Sequence, residues 1–83
     1  MSKALTEVQR SAIRKEGDDL IEALHQVEEK HDLTFAMGLA EGYIKGIFAC
    51  GLIEKIGYQN MASRLTDTHN AVAKKKGWFT SFS

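Results

Sequence analysis

Apolar residues recur at alternating spacings of four and three in two long stretches of the chain. In the first stretch these positions are Ile13, Gly17, Leu20, Leu24, Val27 and His31. In the second stretch they are Tyr58, Met61, Leu65, Thr68 or His69, and Val72. This alternation places side chains along one narrow side of an α-helix. The pattern predicts one helix from about residue 7 to about residue 30 and another from about residue 54 to about residue 76.

Local signals predict where these helices begin and end. Thr6 is followed three residues later by Gln9, which is the pattern of a capping box at a helix N-terminus. Gly51 and Gly77 follow apolar or basic helical segments, where a glycine commonly ends a helix. The run Lys74–Lys76 suits a helix C-terminus, because cations are favoured there by the helix dipole.

Between these helices, residues 34–53 form a glycine-rich apolar stretch. Gly38, Gly42 and Gly46 fall every fourth residue, and Cys50 extends the row. Residues four apart share a helical face, and each glycine costs about 0.5–1 kcal/mol relative to alanine in a helix. We therefore expect another backbone to pack closely on these glycines, so that Gly42→Leu would be severely destabilising. We expect Asp32 or Thr34 to cap this central helix, and the helix to be buried nearly all round.

The combined pattern predicts an all-α fold. We expect a three-helix bundle or a helical hairpin, with long outer helices around a glycine-rich central helix. A single helical domain would span residues 1–77, followed by an aromatic tail at residues 78–83. The chain contains no proline and one cysteine, Cys50, which excludes a disulfide framework and a cysteine zinc site. Cys50 is expected to be a small buried side chain.

Candidate chemistry is sparse in this sequence. His25 and His31 are too far apart to share a turn, and His69 has no ligand partner at helical spacing. Because no nucleophile motif or phosphate-binding loop is present, we expect no enzyme activity, no metal and no cofactor. Glu41 and Lys45 lie within the most apolar stretch and argue against a membrane span. The first ten residues lack the apolar core of a signal peptide, so we expect a cytoplasmic protein.

Charge and aromatic content favour protein binding. The net charge is zero, but acids outnumber bases in residues 1–33 and bases outnumber acids in residues 58–83. The acids Glu28, Glu29 and Asp32 cluster near the end of the first helix, and aromatic residues close the chain. Aromatic anchors are typical of interface hot spots, and acidic surfaces can complement basic ones. The predicted contact residues are Glu28, Glu29, Asp32, Trp78, Phe79 and Phe82.

The run Gly42–Ile53, followed by Tyr58, resembles a helix–AGLI–helix hairpin found in small prophage-encoded proteins. Over residues 34–65 the chain is most similar to the small antirepressors of lambdoid prophages. It differs in having Cys50 where alanine is usual, and Ile56 and Gly57 where polar residues are expected. The resemblance implies a non-enzymatic inhibitor that binds a phage repressor and displaces it from its operators.

Three hypotheses stay open at this point. The first is a protein-binding regulator, an antirepressor that blocks DNA binding by a repressor, without direct nucleic-acid contact of its own. The second is a structural or assembly protein that forms a homo-oligomer through the seams of the outer helices. The third is a small DNA-binding regulator that uses Arg64 and Lys74–Lys76.

Overall fold

The structure is a computed structural model and describes residues 5–78. These residues form three α-helices and one 3-10 turn. Helix α1 spans Glu7–Glu22 and leads into the 3-10 turn Ala23–Gln26. Helix α2 spans Lys30–Ala49 and helix α3 spans Lys55–Lys76. Each helix contacts the other two, which confirms the predicted all-α bundle. Short connections reverse the chain direction twice, so α1 runs parallel to α3 and antiparallel to α2.

The predicted helix ends are confirmed at three of the four boundaries that local signals marked. The Thr6 hydroxyl accepts from the Gln9 N–H at 3.0 Å, and the Gln9 side chain accepts from the Thr6 N–H at 2.9 Å. Gly51 and Gly77 adopt left-handed backbone with φ of 74° and 76°. The following residue then donates its N–H back to the last turn, as Leu52 does to the Ile47 carbonyl at 2.8 Å.

The start of α2 differs from the prediction. Its N-cap is Glu29, which has extended backbone, so neither Asp32 nor Thr34 caps the helix. Helix α1 also ends earlier than predicted, at Glu22, because the chain tightens into the 3-10 turn. This turn contacts both α2 and α3 and buries Leu24 completely. The 3-10 turn therefore continues the buried side of α1 while the chain turns toward α2.

The core lies along the line where the three helices meet. It is made of Ile21, Leu24, Leu33, Ala40, Ile44, Ile47, Met61, Leu65, Val72 and Ala73. The predicted seam of α3 is confirmed, since Met61, Leu65 and Val72 are all buried. Helix α2 contributes Leu33, Ile44 and others from one side only, so the prediction that it is buried nearly all round is wrong.

Candidate protein-binding surfaces

Three carboxylates predicted to contact a partner lie together where α2 begins. Glu28 and Glu29 precede the helix, Asp32 lies in its first turn, and all three are exposed. His31 Nδ1 is 3.6 Å from Glu29 Oε1, and His31 Nε2 is 3.3 Å from Asp32 Oδ1. Within residues 5–78, His31 is the only basic side chain at ion-pair distance from these acids. We call Glu28, Glu29, His31 and Asp32 the acidic surface.

Trp78 lies at the same end of the bundle, because α2 begins and α3 ends there. Its N–H donates to the Ala73 carbonyl at 2.7 Å, which turns the chain back over the end of α3. Its half-buried ring packs against the core, and Lys76 Nζ lies 5.6 Å from the ring centre in a cation–π contact. The fold thus brings the acidic surface and Trp78 to one end. Phe79 and Phe82 lie outside the described residues.

A second surface is the side of α2 that faces away from α1 and α3. We call it the outer face, and it consists of exposed residues: Phe35, Gly38, Leu39, Gly42, Gly46 and Ala49. Phe35 is 68% exposed and Leu39 is 50% exposed, and both lie on the same side of α2 as the glycine row. Contiguous exposed apolar surface commonly marks a binding site. The position of Phe35 and Leu39 beside the glycine row, opposite Leu33 and Ile44, was the sequence signal for this face.

The glycine row of the outer face contacts no other helix among the described residues. No neighbouring element of the described chain comes within 4 Å of the position that a Cβ would take at Gly38, Gly42 or Gly46. The prediction that these glycines pack within the bundle is therefore wrong, and the physical basis for expecting Gly42→Leu to disrupt the fold is removed. Cys50, at the end of the row, is exposed, so the prediction that it is buried is also wrong.

The close approach occurs instead at Gly17 of α1. A Cβ there would overlap the methyl group of Met61 and lie 3.6 Å from Cε2 of Tyr43. The Tyr43 hydroxyl donates to the Ile13 carbonyl at 2.9 Å and ties α2 to α1 at this point. Burial raises the pKa of the Tyr43 hydroxyl, with a smaller contribution from the negative charge of Glu16.

An open groove of about 540 Å³ lies between α1 and the start of α3. Its walls include Arg10, Arg14, Leu52, Ile53, Met61 and Arg64. Arg64 is held by Asp18 at 2.9 Å, which links α3 to α1. This pair is the main electrostatic link between the acidic first part of the chain and the basic last part. Arg64 lies about 15 Å along α3 from Lys74, so the predicted basic residues do not form one patch.

The described residues contain few groups that could carry chemistry. No cluster of three or more His, Cys, Asp or Glu side chains within residues 5–78 is placed to hold a metal ion. Over the same residues, no helix combines the length and apolar character that crossing a bilayer requires. The features that stand out are surfaces rather than pockets with convergent polar groups.

The chain was compared with known protein families, curated proteins and solved structures, and it matches none of them. The predicted similarity to antirepressors therefore stays a prediction.

Proposed function

We propose that this chain is a non-enzymatic regulator that binds another protein, and that its partner is a DNA-binding repressor. The observation that carries the proposal is the acidic surface, whose three carboxylates are exposed at the same end of the bundle as the aromatic ring of Trp78. Binding there would cover the repressor's DNA-contacting face. The repressor would then leave its operator, as an antirepressor requires.

The chemistry of the two faces is complementary. A repressor contacts phosphates through lysine and arginine, so its DNA-binding face is basic. Glu28, Glu29 and Asp32 offer carboxylates to such a face, and arginine pairs with carboxylates in a bidentate geometry. The exposed part of the Trp78 ring supplies an apolar and cation–π contact for the same side chains. Opposite charges across an interface mainly increase the rate and specificity of association.

Direct DNA binding by this chain is supported less well. Arg64 is engaged by Asp18 at 2.9 Å and lies far along α3 from Lys74–Lys76. Lys74–Lys76 form only a short basic run in the last turn of α3. An extended basic stripe is what DNA binding usually requires.

The test is release of a repressor from fluorescent operator DNA, followed by anisotropy. Candidate repressors are those retained from a host extract by the tagged chain. The variant Glu28→Gln/Glu29→Gln/Asp32→Asn removes the acidic surface with little change in side-chain size. The matched control Glu7→Gln/Glu16→Gln/Asp67→Asn removes the same charge from other exposed positions.

We expect the wild-type chain and the control to release the repressor, and the acidic-surface variant to do so at least ten-fold less well. If no retained protein loses its operator, or if both variants act equally, the proposal is wrong. A chain ending at Trp78 tests the contribution of Phe79 and Phe82. Trp78 is kept because its ring packs against the core.

A further inference from the structure

The outer face of α2 is a surface that the bundle itself does not use. Phe35 and Leu39 are largely exposed, and Gly38, Gly42 and Gly46 have no neighbouring element above them within the described chain. Each glycine weakens a helix relative to alanine, and an exposed glycine gains no packing in return. The face therefore combines exposed apolar side chains with a flat strip that another helix could approach closely.

We propose that a second copy of this chain covers the outer face, with the two α2 helices packed antiparallel about a two-fold axis near Gly42. This inference goes beyond the proposed function and uses a different surface. The antiparallel arrangement leaves the two acidic surfaces at opposite ends of the dimer. Each of them would stay free to bind a partner.

The size of the side chains along the outer face favours the antiparallel orientation. The large residues, Phe35 and Leu39, lie in the N-terminal half of α2, and the small ones, Gly46 and Ala49, lie in the C-terminal half. Reversal about Gly42 brings Phe35 beside Ala49 of the partner subunit and Leu39 beside Gly46 of the partner subunit. Each bulky side chain then fills the space that a small residue leaves, which is what close packing requires.

The charges at the edge of the outer face favour the same orientation. Glu41 and Lys45 flank the glycine row on one side and form an ion pair at 3.4 Å. In the antiparallel dimer this edge meets its own copy, and a centre one residue beyond Gly42, at Tyr43, brings Glu41 level with the partner's Lys45 and Lys45 level with the partner's Glu41. In a parallel dimer the two charged edges lie on opposite sides and do not meet. Matched charges at an interface edge set register and exclude wrong pairings.

A second helix suits this face better than a lipid surface does. Glycines present little apolar area to lipid, but they allow two helix backbones to approach closely. The outer face is also narrow, because Glu41 and Lys45 limit it on one side. A small bundle that buries little of its own surface gains stability by pairing in this way.

Sedimentation velocity across the micromolar range tests the proposal on the full chain. We expect the wild type to be dimeric and Gly42→Leu to be monomeric with unchanged helix content, since a side chain at residue 42 meets no other element of the described bundle. A wild-type chain that stays monomeric throughout, or a Gly42→Leu variant that dimerises like the wild type, would overturn the proposal. So would a monomer that binds neutral lipid vesicles through Phe35.

Two single charge reversals test the orientation without altering the glycines. Glu41→Lys places four lysines at the shared edge of an antiparallel dimer, and Lys45→Glu places four glutamates there. We expect each variant alone to dimerise at least ten-fold more weakly than the wild type, and an equal mixture of the two to recover dimers. Failure of the mixture to recover, or reversals without effect, would exclude the proposed pairing.

The distance between Cys50 of one copy and Cys50 of the other provides an independent test of the helix orientation. Cys50 is exposed and lies eight residues after Gly42. Spin labels on the two copies would be about 24 Å apart along the axis of an antiparallel pair, and adjacent in a parallel one. A short label-to-label distance, or rapid disulfide formation between copies on mild oxidation, would overturn the antiparallel arrangement.

Discussion

Glycine occurs in two different environments in this bundle, one inside and one outside. Gly17 of α1 is buried, and a side chain there would collide with Met61. Gly42 of α2 is exposed, with no neighbouring element within 4 Å of a Cβ among the described residues. Both lie in the interior of an α-helix and carry the same cost in helix propensity. At Gly17 that cost is offset by the close contact of α1 with α2 and α3, whereas at Gly42 nothing in the described chain offsets it.

The difference shows how a glycine in a helix should be interpreted. Spacing places glycines on a common face, but it does not say which neighbour that face meets. The isolated Gly17 is the internal contact point, and the regular row of Gly38, Gly42 and Gly46 faces outward. A row that has no internal role is the better candidate for a contact with another molecule.

The largest effect is expected from Gly17→Leu. The added side chain has no space between Met61 and Tyr43, and overpacking of this kind costs about 1–3 kcal/mol in the free energy of unfolding. Urea unfolding of Gly17→Leu and Gly42→Leu, at concentrations where both are monomeric, provides a matched comparison. If the two variants have equal free energies of unfolding, residue 17 has as much space for a side chain as residue 42, and the prediction is wrong.

A smaller loss is expected from Tyr43→Phe. The Tyr43 hydroxyl donates to the Ile13 carbonyl at 2.9 Å, and loss of such a hydrogen bond costs about 0.5–1.5 kcal/mol. The control is Tyr58→Phe, because Tyr58 contributes its ring, which stacks on Phe48 at a centroid distance of 4.4 Å. We expect chemical unfolding to show a clear loss for Tyr43→Phe only. If Tyr58→Phe is equally destabilising, the hydrogen bond is not what links α2 to α1.

Replacing Gly42 with alanine should increase the stability of the monomer, in contrast to the two losses predicted above. Because its methyl group meets no other element of the bundle, Gly42→Ala should raise the stability of the monomer by about 0.5–1 kcal/mol through helix propensity. Gly17→Ala should show no such gain, because its methyl group displaces that of Met61. Thermal unfolding at low concentration measures both. A loss of stability in Gly42→Ala would mean that the outer face is packed even in the monomer.

The smallest expected effect is the contribution of the Tyr43 hydroxyl to the pH dependence of the free energy of unfolding. Burial raises the pKa of this hydroxyl above its ordinary value of 10.0, so the folded state favours the protonated form. The contribution to stability is complete below pH 10 and is lost as the pH rises above 10 through the folded value. Unfolding free energies measured between neutral and strongly alkaline pH should fall less steeply for Tyr43→Phe than for the wild type. Identical slopes would exclude this contribution.

Features that depend on neighbours in sequence could be predicted. Thr6 and Gln9 form their capping box wherever the helix lies, because both partners belong to the same turn. Gly51 and Gly77 end their helices for an equally local reason, since glycine adopts left-handed backbone at low cost. The start of α2 could not be predicted in this way. Glu29 takes the N-cap position without a side-chain cap, after a 3-10 turn that contacts α2 and α3.

The candidate surfaces also have some features that the sequence shows and others that depend on the fold. The acids Glu28, Glu29 and Asp32 are close in sequence, so their grouping was visible without the fold. Their position at the same end of the bundle as Trp78 depends on the alternating direction of the helices. The sequence shows that Phe35 shares a face with the glycine row, but its exposure depends on the fold, because a large apolar residue in an apolar helix is expected to be buried.

Helix formation, the capping box at Thr6, the glycine ends at Gly51 and Gly77, and the residues that share a face can be read from the amino-acid sequence, since these follow from backbone geometry over one or two turns. Which side of α2 faces inward depends on the packing of α1 and α3. Both sides carry large apolar residues, but α1 and α3 pack on the side of Leu33, Ile44 and Ile47, and Phe35 and Leu39 stay largely exposed. This choice depends on contacts between helices and not on neighbours in sequence. It leaves the glycine row facing outward and Cys50 exposed, while Gly17 lies against Met61.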